Sequence, residues 1–268
     1  MGDAPEAIEN LVSDSTRQFT IYYPSGNSTW DDVVSKYNWD NVTWKESDCT
    51  KGLKKSVDGS WYYYICDKIH TGYTGMAKNA YGWWYVKDGK LDTSYTGFAK
   101  NAYGTWYMKN GKLAKNENGM INVNGTWYYV KNGELDTSYT GLVKYKNNWI
   151  YISKGKLDAS YTGLVKYKSN WVYVVNGKLN STYTGLVKYK SNWVYVNKGK
   201  LDASYTGLVK YKSNWVYVNK GKLDAKYTGI AKNAYGTWYL QKGKIDLTFS
   251  GKVTVAGKTY TIKNGKVK

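Results

Sequence analysis

Two series of glycines run through the chain in a common step. One comprises Gly75, Gly97, Gly119, Gly141, Gly163, Gly185, Gly207, Gly229 and Gly251; the other Gly89, Gly111, Gly133, Gly155, Gly177, Gly199, Gly221, Gly243 and Gly265. Both advance by 22 residues without a miss. A fixed period of this length marks a repeat architecture, in which each unit is too small to bury its own apolar surface and must use its neighbours. Nine full units follow an irregular one from Gly52 to Thr74, and residues 1–51 lie outside the period.

The unit from Tyr183 to Ser204 represents the others. Leu186 to Tyr189 and Trp193 to Val196 are short β-prone runs, and Lys190-Ser191-Asn192 between them fits a tight hairpin. Asn197-Lys198-Gly199 turns the chain again, with Gly199 free to take positive φ. On the second arm Trp193 and Tyr195 share one face, Val194 and Val196 the other. A hairpin with two apolar faces is unstable alone in water, so stacking is expected. The fold class is all-β, a solenoid of about ten stacked β-hairpin repeats with a small N-terminal cap.

A tryptophan recurs at Trp61, Trp84, Trp106, Trp127, Trp149, Trp171, Trp193, Trp215 and Trp238, with Tyr260 in the last unit, and its spacing drifts between 21 and 23 residues. Units reading K-N-A-Y-G-T-W, such as Lys232 to Trp238, carry one more residue before the Trp than K-Y-K-S-N-W units such as Lys188 to Trp193. Since the glycine frame never slips, an insertion at the hairpin tip balanced by a deletion after the Trp is expected.

The aromatic content is 13 Trp and 30 Tyr against 3 Phe, rings with a polar handle that suit half-wet surfaces. With 28 Gly and 2 Pro the chain is one of short strands and frequent turns, and little helix is expected. Residues 1–50 hold 9 acidic and 3 basic side chains, leaving 36 basic and 11 acidic on the remainder. The positive field therefore belongs to the repeats and favours anionic partners, or else keeps a tyrosine-rich surface soluble.

Catalytic signatures are missing from the sequence. Asp92, Asp136, Asp158, Asp202, Asp224 and Asp246 recur at one place per unit, which fits a turn role; a glycosidase needs two carboxylates in distinct environments. His70 is the sole histidine and has no nucleophile motif beside it. No phosphate-binding, dinucleotide or zinc spacing occurs, so no cofactor is implied and the chain is not expected to be an enzyme. Cys49 and Cys66 flank the first hairpin, and a disulfide pinning the start of the array is preferred over two unpaired thiols. No run reaches the length of a membrane span, and the acidic start, Met1 to Asn10, does not read as a signal peptide.

The order T-G-hydrophobic, then Trp eight or nine residues after the glycine, then an aromatic, then G-K-L and T-G again, resembles the cell-wall-binding repeats of Gram-positive bacteria. These include choline-binding modules and the glucan-binding repeats of glucansucrases and toxins. The likeness spans roughly residues 52–268 and implies a β-hairpin solenoid on a larger secreted protein at the bacterial cell surface. In choline-binding modules the residue after the T-G glycine is usually Trp, one wall of an aromatic cage. Here it is Met76, Phe98, Met120, Leu142, Leu164, Leu186, Leu208, Ile230 or Lys252. A cation cage also works poorly in a positive field, which moves the expected ligand from choline towards a polysaccharide or an anionic wall polymer.

Sugars present apolar C–H faces to aromatic rings. The candidate ligand-binding residues are the pairs Trp84 and Tyr85, Trp106 and Tyr107, Trp127 and Tyr128, Trp149 and Tyr151, Trp171 and Tyr173, Trp193 and Tyr195, Trp215 and Tyr217, and Trp238 and Tyr239. The first-arm tyrosines Tyr145, Tyr167, Tyr189 and Tyr211 join them. The competing reading makes the Trp row the glue between hairpins. The function expected is a non-catalytic module that attaches a secreted bacterial protein to a teichoic-acid-like wall polymer or an α-glucan such as starch or dextran. The alternatives are a lysine-driven adhesin or polyanion binder, and a spacer projecting a partner domain; nucleic acid is not the expected partner. Residues 1–51, with a strand at Phe19 to Tyr23, a turn at Pro24-Ser25-Gly26-Asn27 and Trp30, Trp39 and Trp44 to cover the first hairpin, are read as a cap or the remnant of a preceding domain.

Overall fold

The computed structural model describes Ala4 and residues 16–25, 27–47, 50–66 and 68–268. The chain forms two compact units, Met1–Asn118 with Val130–Leu135, and Gly119–Tyr129 with Asp136–Lys268.

In the first unit, β1 (Phe19–Pro24) and β2 (Val42–Ser47) pair in parallel, Phe19 opposite Val42 and Pro24 opposite Ser47. A parallel pair needs a crossover, here a 3₁₀ turn at Ser28–Trp30 and a helix, α1 (Asp31–Lys36). The Asn27 side chain accepts the Thr29 amide at 3.1 Å. Asp31 and Asp32 in the first turn and Lys36 in the last match the helix dipole. Val33, Tyr37 and Val42 form a small core of their own, and Trp30 and Trp44 pack against it together with Phe19 and Ile21. Trp39 lies edge-on to Tyr37, with ring centroids 5.6 Å apart. Gly26, in the expected turn, is outside the described residues.

Each repeat has two long arms and a short strand. In the representative repeat these are Gly185–Tyr189, Asn192–Asn197 and Lys200–Leu201. The arms pair from Gly185 opposite Val196 to Tyr189 opposite Asn192, so the tip is the two-residue loop Lys190-Ser191 rather than a three-residue one. The second turn, Lys198-Gly199, has φ of 46° and 74°, both positive as a type I′ turn requires. A lysine in this region is uncommon, and Thr184 of the T-G pair supports it: its Oγ1 accepts the Lys198 amide at 3.0 Å.

The short strand ties one repeat to the next. Within the second unit Val172 pairs with Lys200, Val194 with Lys222 and Val216 with Lys244. The Tyr195 amide donates to the Gly221 carbonyl at 2.8 Å, and the Gly221 amide donates to the Tyr205 carbonyl at 2.8 Å. A Cβ on Gly221 would fall 2.5 Å from the Asp202 carbonyl oxygen, so the second glycine series marks where one backbone lies on another.

Both hairpin faces are buried, and they interlock. Leu186 and Tyr195 on one face pack on Val209, Val216 and Val218 of the following repeat. Leu164 meets Val187, Val194 and Val196 in the same way. Val174, Val196 and Val218 have no accessible surface. Burying a valine contributes about 1.5–3 kcal/mol, so one such contact per repeat holds a stack that no single hairpin could sustain.

The expected insertion and deletion do not exist. In the K-N-A-Y-G-T-W repeat, Gly229 pairs with Leu240 and Asn233 with Gly236, a register that matches Gly185 with Val196 and Tyr189 with Asn192. The backbone is unchanged, and the tryptophan has moved one place along the arm. Trp193 opposes Lys188, whereas Trp238 opposes Ala231 at the position of Val194. One place along a strand is the opposite face. The residue across follows: Ala77, Ala99 and Ala231 oppose Trp84, Trp106 and Trp238, where Val187 opposes Val194. A small residue makes room for the large one.

Candidate functional site

The second-arm tyrosines stack on the tyrosine that precedes the next T-G pair. Tyr85 meets Tyr95 with ring centroids 3.6 Å apart, Tyr151 meets Tyr161 at 4.1 Å, Tyr173 meets Tyr183 at 4.7 Å, and Tyr217 meets Tyr227 at 3.7 Å. Tyr195 pairs with Tyr205 in the same way at 4.1 Å, and Tyr239 with Phe249 at 4.6 Å. Tyr107 packs instead against Phe98, at 5.8 Å. Tyr107, Tyr151, Tyr195 and Tyr239 are buried. These rings are spent on the stack, while Tyr85, Tyr173 and Tyr217 remain half-buried. Tyr128 stands one place off this row, opposite Lys156; Tyr129 is the row member, 4.4 Å from Tyr139.

Trp127, Trp149, Trp171 and Trp193 are half-buried, and each leans on the first-arm tyrosine of the next repeat. The centroid distances are 4.7 Å to Tyr145, 4.7 Å to Tyr167, 5.0 Å to Tyr189 and 4.9 Å to Tyr211, with the planes tilted. The next lysine in sequence covers each tyrosine: Lys146, Lys168, Lys190 and Lys212 hold Nζ 5.6–5.7 Å from the ring centroid. An internal cation thus already lies over each of these rings.

Trp84, Trp106 and Trp238, on the other face, are fixed by a hydrogen bond. Their Nε1 groups donate to Oδ1 of Asn79, Asn101 and Asn233, each at 3.0 Å. Lys112 lies 5.2 Å from the Trp84 ring centroid and Lys266 5.5 Å from that of Trp238. Trp215 finds no first-arm tyrosine in the next repeat, where Asn233 takes that place, and meets Tyr235 at 5.8 Å. Tyr235, like Tyr81 and Tyr103, projects from an Ala-Tyr hairpin tip and is 68% exposed. These tip tyrosines are the most accessible aromatics of the repeats and escape a reading centred on Trp; the recurring N-A-Y-G tip is the signal that marks them.

The recurring aspartates serve turns. Asp202 Oδ1 accepts the Ser204 hydroxyl at 2.7 Å, the Ser204 amide at 3.0 Å and the Tyr205 amide at 3.1 Å. The Ser204 hydroxyl leads in holding its carboxyl below the usual carboxylate range. His70 lies edge-on to Tyr63, with ring centroids 6.4 Å apart. Among the described residues no cluster of three metal-ligating side chains occurs, and no helix is long and apolar enough to cross a membrane. Cys66 is disulfide-bonded; Cys49 lies outside the described residues.

A family model described as "Choline-binding repeat" matches residues 72–92, 94–114, 116–136, 138–158, 160–180, 182–202, 204–224 and 226–246. The chain belongs to the choline-binding repeat family. Its repeats therefore form a cell-wall or carbohydrate-binding module. Among solved structures, choline binding protein F from Streptococcus pneumoniae is 20% identical, with 80% of this chain and 85% of that one covered and a TM-score of 0.29. The Cpl-1 endolysin complexed with a peptidoglycan analogue is 20% identical over 85% of this chain and 66% of that one, with a TM-score of 0.28. Alternansucrase in complex with isomaltotriose is 13% identical over 80% of this chain and 17% of that one, with a TM-score of 0.25. At these TM-scores the likeness carries no functional argument. No curated protein matches the chain. Of the residues that follow T-G, Met76, Leu142, Leu164, Leu186 and Leu208 are buried in the core.

Proposed function

We propose that these choline-binding repeats form a non-catalytic module that holds a larger secreted protein on a polysaccharide or a teichoic-acid-like polymer of the bacterial cell surface, rather than on choline itself. One observation carries the reading: the first-arm tyrosines Tyr145, Tyr167, Tyr189 and Tyr211 are each already covered by a lysine of the same chain, as at Lys190 over Tyr189. A quaternary ammonium would have to displace a tethered cation from a positive field, whereas a sugar ring needs only an apolar face and hydrogen-bonding neighbours. Weak identical contacts repeated along an array gain by avidity on a repeating polymer.

The test is retention of the purified chain on Gram-positive walls with and without teichoic acids, and on starch and dextran, at low and high salt and with choline chloride as competitor. Retention that survives both salt and choline supports a neutral glycan. Loss with teichoic acid removal and with salt supports the anionic polymer. Elution by choline, or no retention on any of these, overturns the proposal. The second reading, a polyanion binder, is favoured by Lys188, Lys190, Lys198 and Lys200, which form no ion pair among the described residues; it predicts equal loss of binding to every anionic polymer as salt rises.

A further inference from the structure

Along the regular run of the second unit, the space beside each tryptophan is filled by the next repeat. Trp171 meets Tyr189 at 5.0 Å and Trp193 meets Tyr211 at 4.9 Å. After Trp215 the pattern breaks. Asn233 takes the tyrosine's place, opposite Gly236 as Tyr211 is opposite Asn214, so no first-arm phenol is present to fill the gap. The same repeat is one in which the tryptophan has changed face. A cavity of about 390 Å³ lies here, lined by Trp215, Tyr235 and Trp238, by Ile245 and the exposed Leu247, and by Lys210, Ser213 and Asn214. Its size falls near the lower end for small-molecule sites, roughly 300–1,000 Å³. Beside it Asn233 Oδ1 accepts from both Trp238 Nε1 and the Tyr235 amide, while its buried Nδ2 has no partner.

From this geometry we infer that the cavity binds a pyranose unit of a neutral glycan, adding at this break in the repeat a specific sugar site to the weak contacts along the regular aromatic row. The inference rests on the carbohydrate reading given above. Three rings supply faces for the apolar side of a sugar, and the Ser213, Asn214 and Lys210 side chains supply donors for its hydroxyls. A cationic ligand fits poorly, because Lys210 lines the cavity and Lys266 already covers Trp238 at 5.5 Å. The side chains that fill the regular gaps define the blocking substitution: Asn233→Tyr restores the residue found at that position in Tyr189 and Tyr211.

The experiment is titration of the full chain with maltotriose, isomaltotriose and choline chloride, followed by the indole N–H resonances of Trp215 and Trp238 and by calorimetry. Either trisaccharide is expected to shift both resonances and to saturate. Asn233→Tyr and Tyr235→Ala should each weaken it by about tenfold or more, the loss expected when one good stacking contact is removed. Because Tyr235 is on an exposed hairpin tip, its truncation leaves the stack folded and keeps the test meaningful should Asn233→Tyr destabilise the repeat. Unchanged affinity in both variants, or choline shifting the same resonances as strongly as the sugars, overturns the inference. If the native chain is retained on dextran or starch and both variants are retained equally, the cavity assignment alone fails. If no glycan retains the native chain and no trisaccharide binds it, the carbohydrate reading fails with it.

Discussion

Tyr205 stacks on Tyr195 of the preceding repeat with ring centroids 4.1 Å apart, and its hydroxyl donates to the Leu208 carbonyl at 3.0 Å in its own repeat. The same hydroxyl lies 3.1 Å from where a Cβ on Gly207 would stand. The T-G glycine thus leaves room for the phenol that ties consecutive repeats together.

Burial foremost, and then the neighbouring Tyr195, pushes the Tyr205 pKa up; Tyr73, Tyr95, Tyr139, Tyr161, Tyr183 and Tyr227 are raised with the same leading cause. The fold favours the protonated phenol, so the stability these groups supply is complete below the ordinary tyrosine value of about 10 and is lost as pH rises through the raised values. A spectrophotometric titration should show a late-ionising class of tyrosines whose ionisation coincides with loss of β circular dichroism. Tyr205→Phe should cost about 1 kcal/mol, the net value of one hydrogen bond, read from denaturant unfolding.

On the acid side the sign reverses. Asp92, Asp158, Asp202 and Asp246 are held below the usual carboxylate range, chiefly by a Ser or Thr hydroxyl. Their contribution is present above the unfolded carboxylate pKa and is lost as pH falls through the lowered values. These carboxylates are exposed, so each effect is small. Asp202→Asn should be tolerated and should remove that repeat's acid dependence, because Asn180 already occupies the equivalent place and accepts the Thr182 and Tyr183 amides at 3.2 and 3.0 Å. Asp202→Ala should lower the melting temperature more than Asp202→Asn at neutral pH.

Gly221→Ala combines a φ of 72° with a Cβ 2.5 Å from the Asp202 carbonyl oxygen. A loss of about 1–3 kcal/mol or more is expected, and hydrogen exchange should place the opening in that repeat and its neighbours. Gly221→Asn, which tolerates positive φ but keeps the clash, should recover little of it.

Thr184→Val leaves the Lys198 amide without its 3.0 Å acceptor and asks a lysine to hold φ of 46° unsupported. The expected cost is about 0.5–1.5 kcal/mol, measured by thermal unfolding against the native chain.

The glycine frame and the face alternation of Trp193 with Val194 were legible in the sequence because period and β geometry alone determine them. The change of face at Trp238 was not: distance counted from the tryptophan looks like an inserted residue, and only the pairing of Gly229 with Leu240 shows that none exists. Positive φ at Lys190 and Lys198 was equally hidden, since lysine carries no signal for it and the support for Lys198 comes from Thr184, fourteen residues away. The helix Asp31–Lys36 escaped a composition dominated by strand formers, although its paired acidic start was in view. The row of Trp and Tyr was legible in the sequence, while the division into rings spent on stacking and rings left accessible required the contacts themselves.

The unchanged register between the two tryptophan classes has an evolutionary consequence. Duplication or deletion of whole 22-residue copies leaves every backbone hydrogen bond in phase, so array length is free to vary by unequal recombination. What such exchange does alter is the order in which the two classes follow one another. The number of open gaps then depends on the order in which copies of the two classes follow one another rather than on how many copies there are.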